Sequence, residues 1–228
     1  MTTVFRLDAS IREAGSVTRA IADTLQDALV SSLDDVSILR RDLGLKPLPS
    51  TAWAGAAFGP YTPPDLQTPE QRNDVVLANT LANELVSADA YVFAIPLYNF
   101  GVSQHFKSWV DIVLTDPRLS SGSPSAIRGR PAQLIVARGG GYGVGTPRHG
   151  WDHATAWYRR VLEDIWMLDV ELIEAELTLA DVTPAMAGLR GLAAENLASA
   201  HVAAREHGQR LAGRLNSAAA GVLDFAAA

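Results

Sequence analysis

Residues 90–101 read AYVFAIPLYNFG, and this stretch decides the fold. Its first six residues are apolar without interruption, which is typical of a strand covered on both faces in a parallel sheet. A helical spacing follows, with apolar positions on one face: Val102, Phe106, Trp109, Val110 and Val113. We therefore predict the central strand of a parallel sheet, which ends at PLYNFG with a helix directly behind it.

Strand and helix patterns alternate on both sides of this stretch. Short apolar runs predict strands at residues 4–7, 36–38, 132–137 and 170–177. Helical periodicity covers residues 17–29, 69–87 and 152–167. Thr183 and Pro184 predict the N-cap and first turn of a long terminal helix, whereas residues 43–68 are interpreted as an excursion loop rich in Pro, Gly and Ala. Five βα units predict a doubly wound α/β fold, a parallel sheet with helices on both faces.

Two strand orders are common in such sheets. The six-stranded dinucleotide-binding order expects G-x-G-x-x-G after the first strand, whereas DASIREAGSVTR, residues 8–19, contains one glycine. The five-stranded order 2-1-3-4-5, called flavodoxin-like, fits better. In that order ligands bind beyond the carboxyl ends of strands 1 and 3, with strand 4 alongside. We therefore expect three loops to converge on one site, namely residues 10–18, 97–100 and 137–145.

Composition narrows the classes of function. The chain has 228 residues, and we interpret residues 1–228 as one domain because no linker or repeat divides them. Twenty-five acidic against 19 basic residues give a formal charge of −6, which disfavours nucleic acid as a partner. There is no cysteine, and no apolar run approaches the roughly 20 residues that span a bilayer. Because MTTVFRLDAS also lacks a signal-peptide pattern, we expect a cytoplasmic protein that acts on a small molecule, without a membrane partner.

Each of the three loops suits a ligand, and each also has a simpler explanation. Ser10, Ser16 and Thr18 place hydroxyl groups at a helix start, which favours an anion, but a serine there also serves as an ordinary helix cap. Five glycines in residues 139–145 let a flat ligand approach the backbone, and are equally typical of flexible linkage. The aromatics and the amide of PLYNFG suit an aromatic heterocycle, or else two core aromatics beside a turn residue.

Three segments together carry a family resemblance. PLYNFGVSQHFKSWVD, LDASIREAGSVT and ARGGG resemble the FMN-dependent NADH-azoreductases, also described as NAD(P)H:quinone oxidoreductases of flavodoxin-like fold. The most specific part is P-x-Y-N-F followed by a lysine and an aspartate on the next helix, here Lys107 and Asp111. The similarity extends from about residue 4 to about residue 175.

The resemblance implies bound FMN, with NADH or NADPH as electron donor and a quinone or azo compound as acceptor in a ping-pong order. It implies no catalytic side chain, because N5 of the flavin does the chemistry. It also implies a homodimer in which the other subunit completes each flavin site. Carried over by position, the cofactor-binding residues are Ser10, Ser16, Val17, Thr18, Leu97, Tyr98, Asn99, Phe100, Ala137, Arg138, Gly139 and Gly140.

No metal is expected, because His149 and His153 lack a third ligand at a recognisable spacing and are interpreted as surface histidines.

Ala137 replaces the serine that usually precedes R-G-G in the family, and residues 114–119, LTDPRL, replace a segment that carries an aromatic over the substrate. These departures leave two alternatives open: a reductase dedicated to one substrate of a specialised pathway, and a non-catalytic flavin-binding module with a regulatory role. The insertion TAWAGAAFGPYTPP and the tail after His207 could remodel the pocket or the dimer, but we predict that the aromatics of the insertion, Trp53, Phe58 and Tyr61, pack in the core.

Overall fold

Five parallel strands form one sheet. They are β1 (Thr2–Asp8), β2 (Val36–Asp42), β3 (Ala90–Pro96), β4 (Pro131–Ala137) and β5 (Asp169–Ala175). The computed structural model describes residues 1–122 and 124–226, so Ser123 and the last two residues of the predicted domain lie outside the described part. The strand order β2-β1-β3-β4-β5 confirms the flavodoxin-like prediction. β3 lies in the middle and all seven of its residues are buried, as its unbroken apolar sequence predicts.

Helices cover both faces of this sheet. They are α1 (Val17–Val30), α2 (Ala52–Phe58), α3 (Pro69–Val86), α4 (Gln104–Val113), α5 (Thr155–Arg159) and α6 (Arg190–Ala226). A π-helical segment, Arg160–Ile165, continues α5, and a 3-10 turn, Pro184–Leu189, precedes α6. Thr183 is the N-cap of that turn and Pro184 lies in its first turn, as predicted, although the Thr183 side chain makes no capping hydrogen bond. Among the residues described, no helix combines the length and the apolar character that crossing a membrane requires.

The sheet separates two hydrophobic cores. On one face α1 and α6 pack so closely that a Cβ at Gly208 would overlap Leu25 O and lie 3.0 Å from Ala28 Cβ. The other face, covered by α2 to α5, holds an aromatic cluster made of Phe5, Tyr91, Phe93, Phe106 and Trp109. Because both faces of β3 are covered, the loops at its carboxyl end are mounted on a rigid base.

The segment between β2 and α3 differs from the prediction. Residues 43–68 are not a structureless excursion, because they contain α2, which packs against α3 through its small buried residues, Ala52, Gly55 and Ala56. The large side chains of α2, Trp53 and Phe58, consequently point outward. The predicted core packing is wrong for all three aromatics, which are 55%, 67% and 86% exposed at Trp53, Phe58 and Tyr61.

Candidate functional site

A cavity of about 120 Å³ opens at the carboxyl edge of the sheet, where β1, β3 and β4 end. This is the edge at which the winding of a 2-1-3-4-5 sheet reverses, and where the sequence predicts a ligand. Residues from all three predicted loops line it: Ser10, Ser16, Val17, Thr18, Leu97, Tyr98, Ala137 and Gly139. Four further predicted residues do not line the cavity, namely Asn99, Phe100, Arg138 and Gly140.

The first loop leads into the N-terminus of α1. Ser16 caps this helix, because its Oγ accepts a hydrogen bond from Arg19 N at 3.4 Å and lies 3.3 Å from Thr18 Oγ1. Gly15 has a φ of 69°, a conformation that favours glycine, and so lets the chain turn into the helix. The N–H groups of Val17 and Thr18 have no acceptor within residues 1–122 and 124–226. Free N–H groups, hydroxyls and the positive end of the helix dipole together suit an anion.

Tyr98 ties the first loop to the end of β3. Its Oη accepts a hydrogen bond from Ile11 N at 3.1 Å and lies 3.4 Å from Ser10 Oγ. Ser10 Oγ also accepts a hydrogen bond from Arg12 N at 3.3 Å. The hydroxyl of Tyr98 therefore positions the first loop, in addition to any contact that its ring makes.

Arg19 supports the first loop from behind. Its guanidinium donates to Ser10 O at 2.7 Å and to Arg12 O at 3.1 Å, and pairs with Asp42. The hydrogen bond to Asp42 raises the pKa of Arg19 above its ordinary value, although burial acts in the opposite direction. Gly44 packs directly on the same loop, since a Cβ there would collide with Ser10 O. No sequence pattern indicates this support, because helical arginines are ordinarily surface residues.

A larger open groove of about 800 Å³ lies next to this support, between α1, the end of β2 and α6. Four of its six charged side chains pair with one another or with the sheet. Arg19 pairs with Asp42, and Arg40 lies 2.7 Å from the fully buried Asp8. Arg6, also buried, lies 3.1 Å from Asp8. Because these charges compensate one another, the groove belongs to the structural support of the first loop.

The turn after β3 is strained. Asn99 and Phe100 have φ values of 48° and 66°, in the left-handed region that ordinary side chains avoid. Gly101 N donates to Tyr98 O at 2.9 Å and closes the turn, while His153 N donates to Phe100 O at 3.0 Å. Such residues cost roughly 1–3 kcal/mol each and cluster at ligand sites. The Asn99 amide is exposed and has no partner in the described part of the chain, so it is free to bind a ligand.

The glycine loop after β4 presents free donors. Its carbonyl groups continue the pairing with the chain after β5, because Leu179 N donates to Gly139 O and Leu177 N to Gly140 O, both at 3.2 Å. The N–H groups of Gly139 and Gly140, by contrast, have no acceptor among the residues that the structure describes. The Leu179 side chain covers Gly139, where a Cβ would lie 2.6 Å from Leu179 Cδ1. A side chain at position 139 would therefore displace Leu179, which also lines the cavity.

Comparison with known proteins agrees with this geometry. The family model described as flavodoxin-like fold matches residues 2–197. An FMN-dependent NADH:quinone oxidoreductase of Frankia alni is 40% identical over 189 residues, which cover 82% of this chain and 89% of that protein. Another, of Streptomyces avermitilis, is 34% identical over 215 residues, covering 94% and 99%. This chain belongs to the FMN-dependent NADH:quinone oxidoreductase family.

Solved structures share the fold of this family member. An FMN-dependent NADH-azoreductase from Bacillus anthracis, in complex with FMN, has a TM-score of 0.72 at 18% identity and covers 93% of this chain and 100% of its own. An azoreductase from the Sterne strain of the same organism has a TM-score of 0.73 at 18% identity, with coverage of 92% and 100%. The family resemblance expected from the sequence is confirmed, and so is the fold.

In this quinone oxidoreductase family member, the Arg138 side chain turns away from the cavity. Its guanidinium lies 2.8 Å from Asp152 and 3.3 Å from Glu176, and it also pairs with Glu174. Only the backbone of Arg138 remains near the cavity. Burial opposes the charge of Asp152, but hydrogen bonds from Thr155 and the charge of Arg138 hold the pKa of Asp152 below its ordinary value. This cluster joins the ends of β4 and β5 to the start of α5, and thereby positions the glycine loop.

Phe100 contacts two aromatics that the family motif does not include. The Trp151 ring centroid lies 5.3 Å from that of Phe100 with the planes at 82°, and the Tyr142 ring lies 6.3 Å away at 60°. Both come from the long loop that joins β4 to α5. The sequence signal that could have predicted these contacts is the pair of aromatic residues in GYGVGTPRHGW, residues 141–151. These three rings form the outer wall of the site beyond the cavity.

Two residue pairs singled out from the sequence lie outside the cavity. Lys107 Nζ lies 2.6 Å from Asp111 Oδ1 on α4, so this part of the family motif forms an exposed ion pair along the helix. His149 and His153 do not line the cavity, and within the described residues no group of three His, Cys, Asp or Glu side chains could hold a metal ion. His153 acts through its backbone, which holds the strained turn at Phe100.

The divergent segment, residues 114–119, completes the hydrophobic core. Leu119 is fully buried, and its carbonyl accepts a hydrogen bond from Trp166 Nε1 at 3.0 Å. Arg118 Nη2 lies 2.7 Å from Asp116 and stabilises the turn. None of these residues lines the cavity, whereas the other departure, Ala137, does.

Proposed function

We propose that this protein binds FMN and transfers hydride from NADH to a quinone or an azo aromatic compound. The named activity of its relatives supports this reaction. For this chain the proposal rests on one observation, which is the set of unpaired N–H donors in the described residues at the two sides of the cavity. They belong to Val17 and Thr18 on one side and to Gly139 on the other, with the N–H group of Gly140 next to it outside the lining.

The residues present fit FMN if its phosphate end lies in the cavity and its ring lies at the mouth. The cavity of about 120 Å³ is smaller than the roughly 300–1,000 Å³ of typical ligand pockets, so it suits the phosphate and the ribityl chain and leaves the ring outside. The hydroxyls of Ser10, Ser16 and Thr18, with the N-terminus of α1, would hold the phosphate. The ring would then lie at the mouth, beside the strained turn and the glycine loop.

When bound, FMN supplies the hydride chemistry at N5. The N–H groups of Gly139 and Gly140 would stabilise negative charge on the ring, since preorganised donors are most effective where charge develops. The Asn99 amide can both donate and accept a hydrogen bond at the ring edge. NADH and the electron acceptor would occupy the same exposed face of the flavin ring in turn, which is a ping-pong order.

We also infer that the protein is a cytoplasmic homodimer. Trp53, Phe58 and Tyr61 expose an apolar surface of a kind that commonly marks protein contacts, and a second copy would cover it. The mouth of the site is open on the Asn99 side, where a partner subunit would complete it. Sedimentation equilibrium is expected to give the mass of two chains, and a single-chain mass at every concentration would contradict the dimer.

The visible spectrum of the purified protein tests the proposed activity. We expect a flavin spectrum that NADH bleaches under anaerobic conditions and that an added quinone restores. Protein that is colourless and does not take up added FMN would refute the proposal. Bound flavin that NADH does not bleach would point instead to the non-catalytic flavin-binding module. Comparable turnover of a simple quinone and an azo dye would argue against a dedicated reductase.

A further inference from the structure

Arg148 places a positive charge at the outer edge of the site. The loop between β4 and α5 brings its guanidinium carbon 5.5 Å from the ring centroid of Phe100. Its Nη1 lies 3.3 Å from the position that a Cβ at Gly140 would occupy. The guanidinium therefore lies against both the strained turn and the glycine loop, the two elements expected to hold the flavin ring.

No carboxylate neutralises this charge in the part of the chain that the structure describes. Arg148 is exposed and makes no side-chain hydrogen bond or ion pair with residues 1–122 or 124–226. The nearby Arg138 is the opposite case, because it is buried among three carboxylates. An arginine that has no internal partner keeps all its N–H donors available to an anion that arrives from solvent.

The backbone around Arg148 is held in place. Trp151 N donates to Arg148 O at 3.1 Å, and His149 N donates to Thr146 O at 3.1 Å. The Trp151 ring then packs on Phe100. These contacts anchor the loop to the turn after β3, and the contact of the guanidinium with the Phe100 ring holds the side chain at the edge of the site.

We propose that Arg148 recognises an anionic substituent, a carboxylate or a sulfonate, on the aromatic electron acceptor. This inference rests on the proposed function and specifies its substrate class. Arg148 does not line the cavity, and its exposure suits a molecule that exchanges with solvent better than a resident cofactor. The Arg148 guanidinium lies beside the place expected for the flavin ring, so it can contact substituents that are attached to the reacting ring of the acceptor. The diphosphate of NADH is separated from its reacting ring by a ribose, whereas the charged group of an anionic quinone or azo dye is attached to the ring itself.

The test compares acceptors that differ in one charged group. Steady-state kcat/KM is measured for 1,4-naphthoquinone and for its 2-sulfonate, and separately for NADH, in the FMN-loaded wild type, Arg148→Ala and Arg148→Lys. Arg205→Ala is the matched control, since it removes the same charge from an exposed position on α6. Comparing each variant with the wild type on the same acceptor cancels the difference in reduction potential between the two quinones.

We expect Arg148→Ala to lower kcat/KM for the sulfonate about fivefold, with less than a twofold change for the neutral quinone and for NADH. Arg148→Lys should recover part of the loss, and added salt should reduce the difference, because exposed charges are screened. Equal loss on both quinones, no loss on either, or a loss confined to NADH would each overturn the proposal. Wild-type turnover of the neutral quinone tests the proposed function independently, so the two failures are distinguishable.

Discussion

Gly44→Ala tests whether residues behind the first loop determine the geometry of the anion site. A Cβ at Gly44 would collide with Ser10 O, and it would lie 2.6 Å from Ser10 C and 3.0 Å from Arg19 Nη2. A change of rotamer cannot relieve a contact with backbone atoms. The Ser10 carbonyl must therefore retreat, and its 2.7 Å hydrogen bond from Arg19 must lengthen or break. We expect the first loop to move away from Gly44, taking the Ser10 hydroxyl with it.

Two magnitudes follow from this displacement. Overpacking of a closely packed position lowers the free energy of unfolding by about 1–3 kcal/mol. Loss of one hydrogen bond to a charged phosphate costs about 1.5–3 kcal/mol, which corresponds to a roughly 10- to 150-fold rise in the dissociation constant of FMN. The two effects are separable, because the first is measured on the apoprotein and the second on the complex.

The assay is a fluorescence titration of apoprotein with FMN and, in parallel, with riboflavin, at a temperature where circular dichroism shows the variant folded. Riboflavin lacks the phosphate, so Gly44→Ala should weaken FMN and leave riboflavin within about twofold of wild type. Gly213→Ala is the control, since a Cβ there meets nothing within 4 Å. Unchanged FMN affinity, or riboflavin weakened as much as FMN, would show that Gly44 does not act through the phosphate end.

Three further predictions concern the ring end and the cluster around Arg138. Asn99→Ala should weaken FMN and riboflavin alike, by about 1 kcal/mol, and unchanged affinity in the same titration would exclude Asn99 as a principal ring contact. Arg138→Ala should lower the urea unfolding free energy by about 1–3 kcal/mol, because it leaves Glu174 and Asp152 without their partner; a loss below about 0.5 kcal/mol would contradict a structural role. The pKa of Asp152 is lower in the folded state, so its ionisation stabilises the fold above the ordinary carboxyl pKa of about 3.9, and this contribution is lost as pH falls through the lowered value. Asp152→Asn should flatten the acid side of the unfolding free energy plotted against pH, and an unchanged acid side would contradict this assignment.

The fold could be predicted because the sequence patterns that indicate it lie within short stretches of the chain. Two short stretches of sequence select one strand order between them. They are the unbroken apolar run in β3 and the first loop, with its single glycine. The convergence of three loops then follows from topology alone. The exposed aromatics of the insertion were not predictable in this way, because α2 buries its small residues and leaves Trp53 and Phe58 in solvent, against the usual preference of aromatics.

A sequence motif predicts where the backbone of a residue lies, but it does not predict the direction in which the side chain points. Arg138 lies within the family motif, yet its side chain supports the glycine loop from the far side. Gly44 and Arg19 lie outside every motif, yet both contact the carbonyl of Ser10. Contacts of this kind join residues that are distant in sequence, and they depend on how loops pack rather than on any local pattern. Substitutions outside the motifs should therefore change FMN affinity as much as some substitutions within them, and the Gly44→Ala titration measures this directly.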